Sequence, residues 1–254
     1  YDEKYFVSAS YRRDASSRFH PDNRWGNFGS VGLAWLINKE NFMSNVSWID
    51  MLKFKASYGI QGNDNLGNYY AYADQYSVTN NNGDFAVSFS YKGNKDITWE
   101  TSYAFNTGFD FEFFGSRLNG TVEYFNRKTV DLLYNQPVPI SMGYATIPMN
   151  VGSIVNQGIE VDLNGVLYKN NNIEWLANIN ATHYKNKITD LAESAKRNGG
   201  IKYSNAIYRV GGSLYNSYLP VYAGVDPKDG QALYYIDPDN GDYTTTNAYS
   251  KAKQ

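Results

Sequence analysis

Between Met51 and Gln61 the residues Leu52, Phe54, Ala56, Tyr58 and Ile60 share one parity, while Met51, Lys53, Lys55, Ser57 and Gly59 share the other. Side chains alternate sides along a strand, so this split predicts a strand with two unlike neighbours. The run is also long for a strand. A globular strand averages about five to six residues, whereas a tilted bilayer crossing takes about nine to eleven, and the stretch matches the second.

The same alternation recurs. Tyr5, Val7, Ala9 and Tyr11 alternate with Ser8, Ser10 and Arg12, and Val31, Leu33, Trp35 and Ile37 with Ser30, Gly32 and Ala34. Tyr103, Phe105, Thr107, Phe109 and Phe111 oppose Ala104, Asn106, Gly108 and Asp110, and Leu118, Gly120, Val122 and Tyr124 oppose Asn119, Thr121 and Glu123. Ile159, Val161 and Leu163 then face away from Glu160, Asp162 and Asn164, and Trp175, Ala177, Ile179 and Ala181 from Asn178, Asn180 and Thr182. One side of every expected strand is apolar or aromatic, and the other is small, polar or charged.

The connections sort into two kinds. Phe114–Arg117 and Lys169–Asn172 are short enough for hairpin turns. Gly62 to Ile97, Lys128 to Asn156 and Lys185 onward are long and rich in Asn, Gly, Tyr and Asp. Counting strands up and down puts the long loops at one end and the tight turns at the other, the asymmetry of outer-membrane barrels. Asn38 to Asp50 is the exception, a longer link on the short-turn side in which Glu40–Met43 is expected to form a helical turn. Register follows from energy, because Lys or Arg on a lipid-facing position costs about 2 to 4 kcal/mol near the midplane. A slip of one residue would put Lys53 and Lys55 there, so the apolar side must face outward. In a soluble β-sandwich the same side would turn inward, and alternation alone leaves both architectures open.

Composition narrows the choice little. The 254 residues contain no Pro-rich, Ser-rich or charged linker and read as one unit. No apolar run is longer than Leu33 to Ile37, which excludes a membrane-spanning helix. Aromatic residues make up 17%, with 24 Tyr, 13 Phe and 5 Trp, a bias that suits headgroup-level girdles and also a sugar-binding sandwich. A formal charge of -2 argues against nucleic acid as a partner. The absence of Cys excludes disulfides, thiol nucleophiles and thiolate metal sites, and is compatible with an oxidising envelope compartment. The chain opens directly into a strand and stops at Lys251–Gln254, so an internal or processed piece of something longer is expected.

Several segments resemble the SusC/RagA family of TonB-dependent outer-membrane transporters. Arg13–Phe19 (RDASSRF) and Asn23–Gly26 (NRWG) are similar to that family's R-D-G-S-S-R-F and N-R-W-G run, with Ala15 in place of the usual Gly. Leu52–Gly59 (LKFKASYG), closing on Gly62-Asn63, resembles its L-K-L-R-A-S-Y-G-x-x-G-N strand. Ile97–Glu100, Gly108–Asp110, Phe113-Phe114 and Arg117–Gly120 resemble a later hairpin, continued by Asp131–Leu133. Asn150–Gly152 with Asn156–Gly158 and Glu160 resembles its N-V-G-x-x-x-N-x-G-x-E, and Asn186–Ile188 its N-K-I element.

The resemblance implies an all-β fold, an antiparallel transmembrane β-barrel of about 22 strands, of which residues 1–254 would supply about seven. The plug domain, the TonB-contacting segment and the closing strands would lie elsewhere. It further implies a SusD-like surface lipoprotein over the long-loop side, the TonB complex acting from the periplasm, and a Gram-negative outer membrane as the setting. On that reading Lys53, Lys55, Asn106, Glu160, Asp162 and Asn178 line the lumen.

No catalytic constellation is present, and a non-enzymatic role without cofactors is expected. His20 and His183 are the only histidines and lack partners at ligand spacing, so they read as loop or rim residues. Asp226, Asp229, Asp237, Asp239 and Asp242 cluster, but Gly241 falls where an EF-hand loop needs a ligand, and Asp-Pro, Asp-Gly and Asn-Gly turns explain them better. Arg13, Asp14, Arg18 and Arg24 read as a rim charge network, and Trp25, Trp35, Trp48, Trp99 and Trp175 as interfacial anchors. Tyr69, Tyr70, Tyr72 and Tyr76 are the candidate substrate contacts, since a phenol offers an apolar face and a hydroxyl to a sugar or peptide. Three functions are in play: active import of an oligosaccharide or peptide, a passive porin or adhesin barrel, and a soluble glycan-binding sandwich.

Overall fold

The computed structural model describes residues 1–238, 241–248 and 251–252. Asp239 of the aspartate cluster lies outside them, as do Lys253 and Gln254. The strands, in chain order, are β1 (Tyr5–Ala15), β2 (Trp25–Leu36), β3 (Ile49–Asn63), β4 (Gln75–Asn81), β5 (Asp84–Tyr91), β6 (Glu100–Phe113), β7 (Leu118–Val130), β8 (Leu133–Pro137), β9 (Thr146–Asn150), β10 (Ser153–Lys169), β11 (Glu174–Asp190), β12 (Ile201–Tyr203), β13 (Ala206–Tyr208), β14 (Tyr222–Val225), β15 (Ala232–Asp237) and β16 (Asp242–Thr246). Two compact units divide the chain, residues 1–190 and 191–254.

The first unit is an antiparallel meander of seven strands in the order β1-β2-β3-β6-β7-β10-β11. Its register aligns the parities read from sequence. Leu33 pairs with Ala56 and Ala56 with Thr107, Phe54 with Phe109 and Phe109 with Val122, Tyr124 with Ile159, and Leu163 with Ile179. Ala34 pairs with Lys55, Lys53 with Asp110, Asp110 with Thr121, and Thr121 with Asp162, so the polar side is equally continuous.

Among the described residues of the first unit, no second layer covers the apolar side. Val7 is 74% exposed, Leu33 51%, Ile159 50% and Ile179 57%. A sandwich would bury such residues in its interior, so the soluble sandwich reading is incorrect. The described residues include no helix long and apolar enough to span a membrane.

Local chemistry sets the turns. Phe114, Gly115 and Ser116 all have left-handed φ, at 60°, 66° and 58°. That conformation is costly for the two non-glycine residues and needs support from outside the turn. Support comes from the Phe114 N–H donating to the Trp48 carbonyl (2.8 Å), the Ser116 N–H donating to Asp50 Oδ2 (2.9 Å), and stacking of the Trp48 and Phe114 rings. The β10–β11 turn closes on Asn170, whose Oδ1 accepts from the N–H groups of Asn172 and Ile173.

The longer link after β2 forms two 3-10 turns, Ile37–Lys39 and Asn41–Met43, the second where a helical turn was expected. Glu40 between them accepts from the Tyr5 hydroxyl and from Trp35 Nε1 (3.0 Å) and lies near Lys4. Those hydrogen bonds, the Tyr5 one foremost, hold its carboxyl below the usual range.

The long loops contain structure of their own. Residues 64–99 hold the hairpin β4–β5, and residues 131–152 hold β8–β9. Short alternating runs such as Tyr76-Ser77-Val78 and Val87-Ser88-Phe89 account for the first; the turn-rich composition around them conceals it.

The second unit has α1 (Glu193–Arg197), the hairpin β12–β13 and a three-stranded sheet β14-β15-β16. Its aspartates act in turns: Asp226, Asp229 and Asp242 each accept, through Oδ1, the N–H two residues on.

Neighbouring positions on opposite faces provide a test of sidedness. In the complete barrel, Ala56→Lys is expected to cost about 2 to 4 kcal/mol in denaturant unfolding from a bilayer, and Ser57→Lys much less. Equal losses would reverse the assignment of faces.

Candidate functional site

The polar face carries a connected set of charges. Lys53 Nζ lies 3.2 Å from Asp110 Oδ2, and Lys55 Nζ lies 2.9 Å from both Asp110 Oδ1 and Glu123 Oε2. Asp110 also accepts from the Thr121 hydroxyl at 3.0 Å. The network spans β3, β6 and β7, because the register sets Lys53 opposite Asp110 and Gly108 between Lys55 and Glu123. Next along, Glu123 sits directly opposite Glu160, and the two acids share an open groove of 310 Å³ with Thr121, Asp162, Asn180 and Thr182. Asn164 and Asn180 donate to the two oxygens of Asp162, at 2.7 and 3.2 Å.

Lys53, Lys55, Asn106, Glu160, Asp162 and Asn178 share one face of the sheet by register, with Asn106 opposite Ser57 and Asn178 opposite Asn164. Asp110 and Glu123 were not singled out, although they carry the ion pairs. Their parity was readable; their position across from two lysines is a property of the pairing.

At the long-loop end the motif residues build a small core. Phe19 and Ile97 are fully buried. Phe19 and Phe28 meet the Trp99 ring edge-on at 5.5 and 5.2 Å, and Trp99 Nε1 donates to the Arg24 carbonyl at 3.0 Å. A Cβ at Gly26 or Gly62 would collide with the Phe28 ring, which explains glycine at both motif positions. Arg18 Nη1 reaches the Asp64 carboxylate and carbonyl, both at 3.2 Å, and Ser16 Oγ donates to Asp64 Oδ2 at 2.6 Å. Asn150 ties two loops together: its Oδ1 accepts from the Thr98 N–H at 2.8 Å, and its Nδ2 donates to the carbonyls of Thr98 and Asp131.

The expected rim network therefore divides. Arg18 pairs with Asp64, Asp14 pairs with Arg12, Arg13 stacks on Trp25, and Arg24 Nε is buried without a hydrogen-bond partner. Trp99 is a packing residue of the loop core rather than an interfacial anchor, whereas Trp25 and Trp175 are exposed near strand ends. His20 lies 3.2 Å from Asp22, and His183 lies opposite Ile159.

The four candidate tyrosines do not converge. Tyr69 lies under the Arg18 guanidinium, Tyr72 meets His20 edge-on, and Tyr76 packs on Phe89 across the β4–β5 hairpin. Tyr70 is 62% exposed, and its carbonyl accepts from Gln75. The hairpin base is clamped by Asp74, which accepts from Lys92 Nζ and the Gly93 N–H, both at 2.9 Å.

A long amphipathic meander, apolar and open on one side, charged on the other, and looped at one end, defines a wall of an outer-membrane-type barrel. The family model for the TonB dependent receptor-like β-barrel matches residues 1–252, and the chain belongs to that family. It is 36% identical over 221 residues to TonB-dependent receptor P39 of Formosa agariphila, covering 86% of this chain and 21% of that protein. It is 34% identical over 196 residues to TonB-dependent receptor SusC of Bacteroides thetaiotaomicron, covering 74% of this chain and 20% of that protein. Among solved structures, a chain of the RagAB peptide transporter superposes with a TM-score of 0.87 at 31% identity, covering 100% of this chain and 28% of that one. These relatives bear out the SusC/RagA resemblance. The chain spans about a fifth of the curated proteins' length.

Two outcomes test the loop core. Trp99→Ala removes the ring that holds Phe19 and Phe28, and loss of a buried aromatic costs about 3 to 5 kcal/mol. Hydrogen exchange at the Ser16 and Asn94 amides should accelerate strongly, with the β3 and β6 amides unchanged. The second concerns pH. The hydrogen bond from Lys92, then that from Gly93, depresses the Asp74 pKa, so its support of the hairpin base is complete above the ordinary aspartate range, near about 3.9, and disappears as pH falls through the lower folded value. Exchange at the Gly93 amide, corrected for intrinsic rate, should rise only below the ordinary range.

Proposed function

We propose that residues 1–254 form part of the barrel wall of an outer-membrane importer that takes up oligosaccharides or peptides using energy delivered by TonB. The carrying observation is the meander itself, whose exposed apolar side requires hydrocarbon and whose long, internally packed loops all stand at one end. Among the described residues, β1 and β11 each pair on one side only. An unpaired strand edge is untenable in lipid, so further strands of the barrel complete them.

The face bearing Lys53, Lys55, Asn106, Glu160, Asp162 and Asn178 lines the lumen, with the Lys53–Asp110–Lys55–Glu123 network stiffening the wall where a plug domain would pack. The long-loop end faces the cell exterior and receives a SusD-like lipoprotein. Tyr69 and Tyr70 are the substrate contacts on this reading, with Tyr72 and Tyr76 at the margin. Kinship with a peptide transporter supports the peptide class, and the motif resemblance to the SusC/RagA family supports the oligosaccharide class. Coupling to TonB resides in segments outside this chain.

Uptake of labelled oligosaccharides and peptides by cells carrying the complete transporter tests the proposal. Import should stop when TonB is deleted or the proton gradient is collapsed, and Tyr69→Ala with Tyr70→Ala should weaken substrate binding about tenfold, equivalent to about 1.4 kcal/mol. Uptake that persists without TonB would instead identify a passive porin.

A further inference from the structure

The outward face is electrically lopsided. Arg13 on β1, Lys128 on β7, and Lys185 and Lys187 on β11 all have the outward parity, since Lys128 pairs with Tyr103 and Val155, Lys187 with Val155, Lys185 with Gln157, and Arg13 with Asn27. Each lies in the half of its strand nearest the long loops. Among the described residues, none of the four has a carboxylate within salt-bridge distance. The outward positions in the same half of the seven strands include a single acid, Asp190, opposite Ser153 at the last position of β11.

Elsewhere in the sheet most cations find protein anions, Arg127 on the polar side of β7 excepted. On the short-turn side Lys4 pairs with Asp2 and Glu40, Lys39 with Glu3, and Lys169 with Glu174. Arg117, in the β6–β7 turn, is the exception there. Lys53 and Lys55 on the polar face are paired as well. In a chain of net charge -2, a set of four cations gathered on one margin of the lipid-facing surface, with one acid at its edge, is not explained by solvation alone.

Arg13 adds geometry. Its guanidinium lies 4.7 Å from the centroid of the Trp25 ring, which is 52% exposed on the same face. The cation is thereby held at the level of an aromatic residue suited to a membrane interface, with its donors left free for an anion.

We infer that these four residues form a binding margin for the anionic phosphate headgroups of lipids in the outer leaflet. The inference rests on the barrel reading above. Arg supplies a planar fork for phosphate oxygens and Lys a mobile point charge, while the acyl chains lie against the apolar rows below. The margin would fix the depth of the barrel in the membrane and retain a ring of anionic lipid beneath the loops.

The test uses the complete barrel reconstituted in phosphatidylcholine vesicles containing one-fifth phosphatidylglycerol, with spin-labelled forms of both lipids as reporters. The protein should select phosphatidylglycerol over phosphatidylcholine by about fivefold per contacting cation. The preference should fall toward unity in the combined variant Arg13→Gln, Lys128→Gln, Lys185→Gln and Lys187→Gln, and in high salt. Isothermal titration with inorganic phosphate should give no saturable heat; saturable binding would make this a soluble-anion site and overturn the lipid assignment. Equal selectivity in the variant and the parent would overturn it too. Flotation with the vesicles and heat-modifiable gel migration separate the two readings. A protein that fails both overturns the barrel reading as well, whereas one that passes both without lipid selectivity overturns this inference alone.

Discussion

Backbone amides cannot be left unpaired in hydrocarbon, and among extended chains only a sheet that continues from strand to strand satisfies them. The rest of this molecule follows from that constraint. Seven strands pair in an unbroken meander, so every inner strand has both edges satisfied, and the side chains are left to meet two media. Because the side-chain period is two, each strand assigns its apolar half to one medium and its polar half to the other without any helix or second layer. The exposure of Val7, Leu33 and Ile179 would be a liability in water and is the expected solution in a bilayer.

The polar face shows how a wall can carry charge without losing rigidity. Two lysines from β3 are neutralised by acids from β6 and β7, each residue belonging to a strand already fixed by its ladder, so little entropy is spent in bringing them together. Glu160, opposite Glu123, lies beyond the reach of those cations and gives the adjoining groove its acidic character. The outward margin near the long loops instead carries mostly cations, Arg13, Lys128, Lys185 and Lys187.

The loops are built rather than draped. Trp99, Phe19 and Ile97 from the loops close over Phe28 of β2 to form a core at the end of the sheet, and Arg18, Asp64 and Asn150 connect segments distant in sequence. This explains why the motif residues cluster at strand ends. They join the β1–β2 link to the two longer loops, which gives the loop side chains a firm base.

Strand identity, sidedness and the position of the long loops were legible in sequence, because a period of two over ten or more residues leaves only one way to place Lys53 and Lys55 relative to Leu52 and Phe54. Motifs from Arg13 to Ile188 likewise carried the family. The hairpins inside residues 64–99 and 131–152 were not legible, since their alternating runs are short and set among turn formers. Nor was the role of Trp99, which depends on Phe19 arriving from the β1–β2 link and Phe28 from β2. Which acid meets which lysine was beyond the sequence for the same reason: parity is a local property of one strand, whereas a partner is chosen by the register between strands, and register exists only once the sheet has formed.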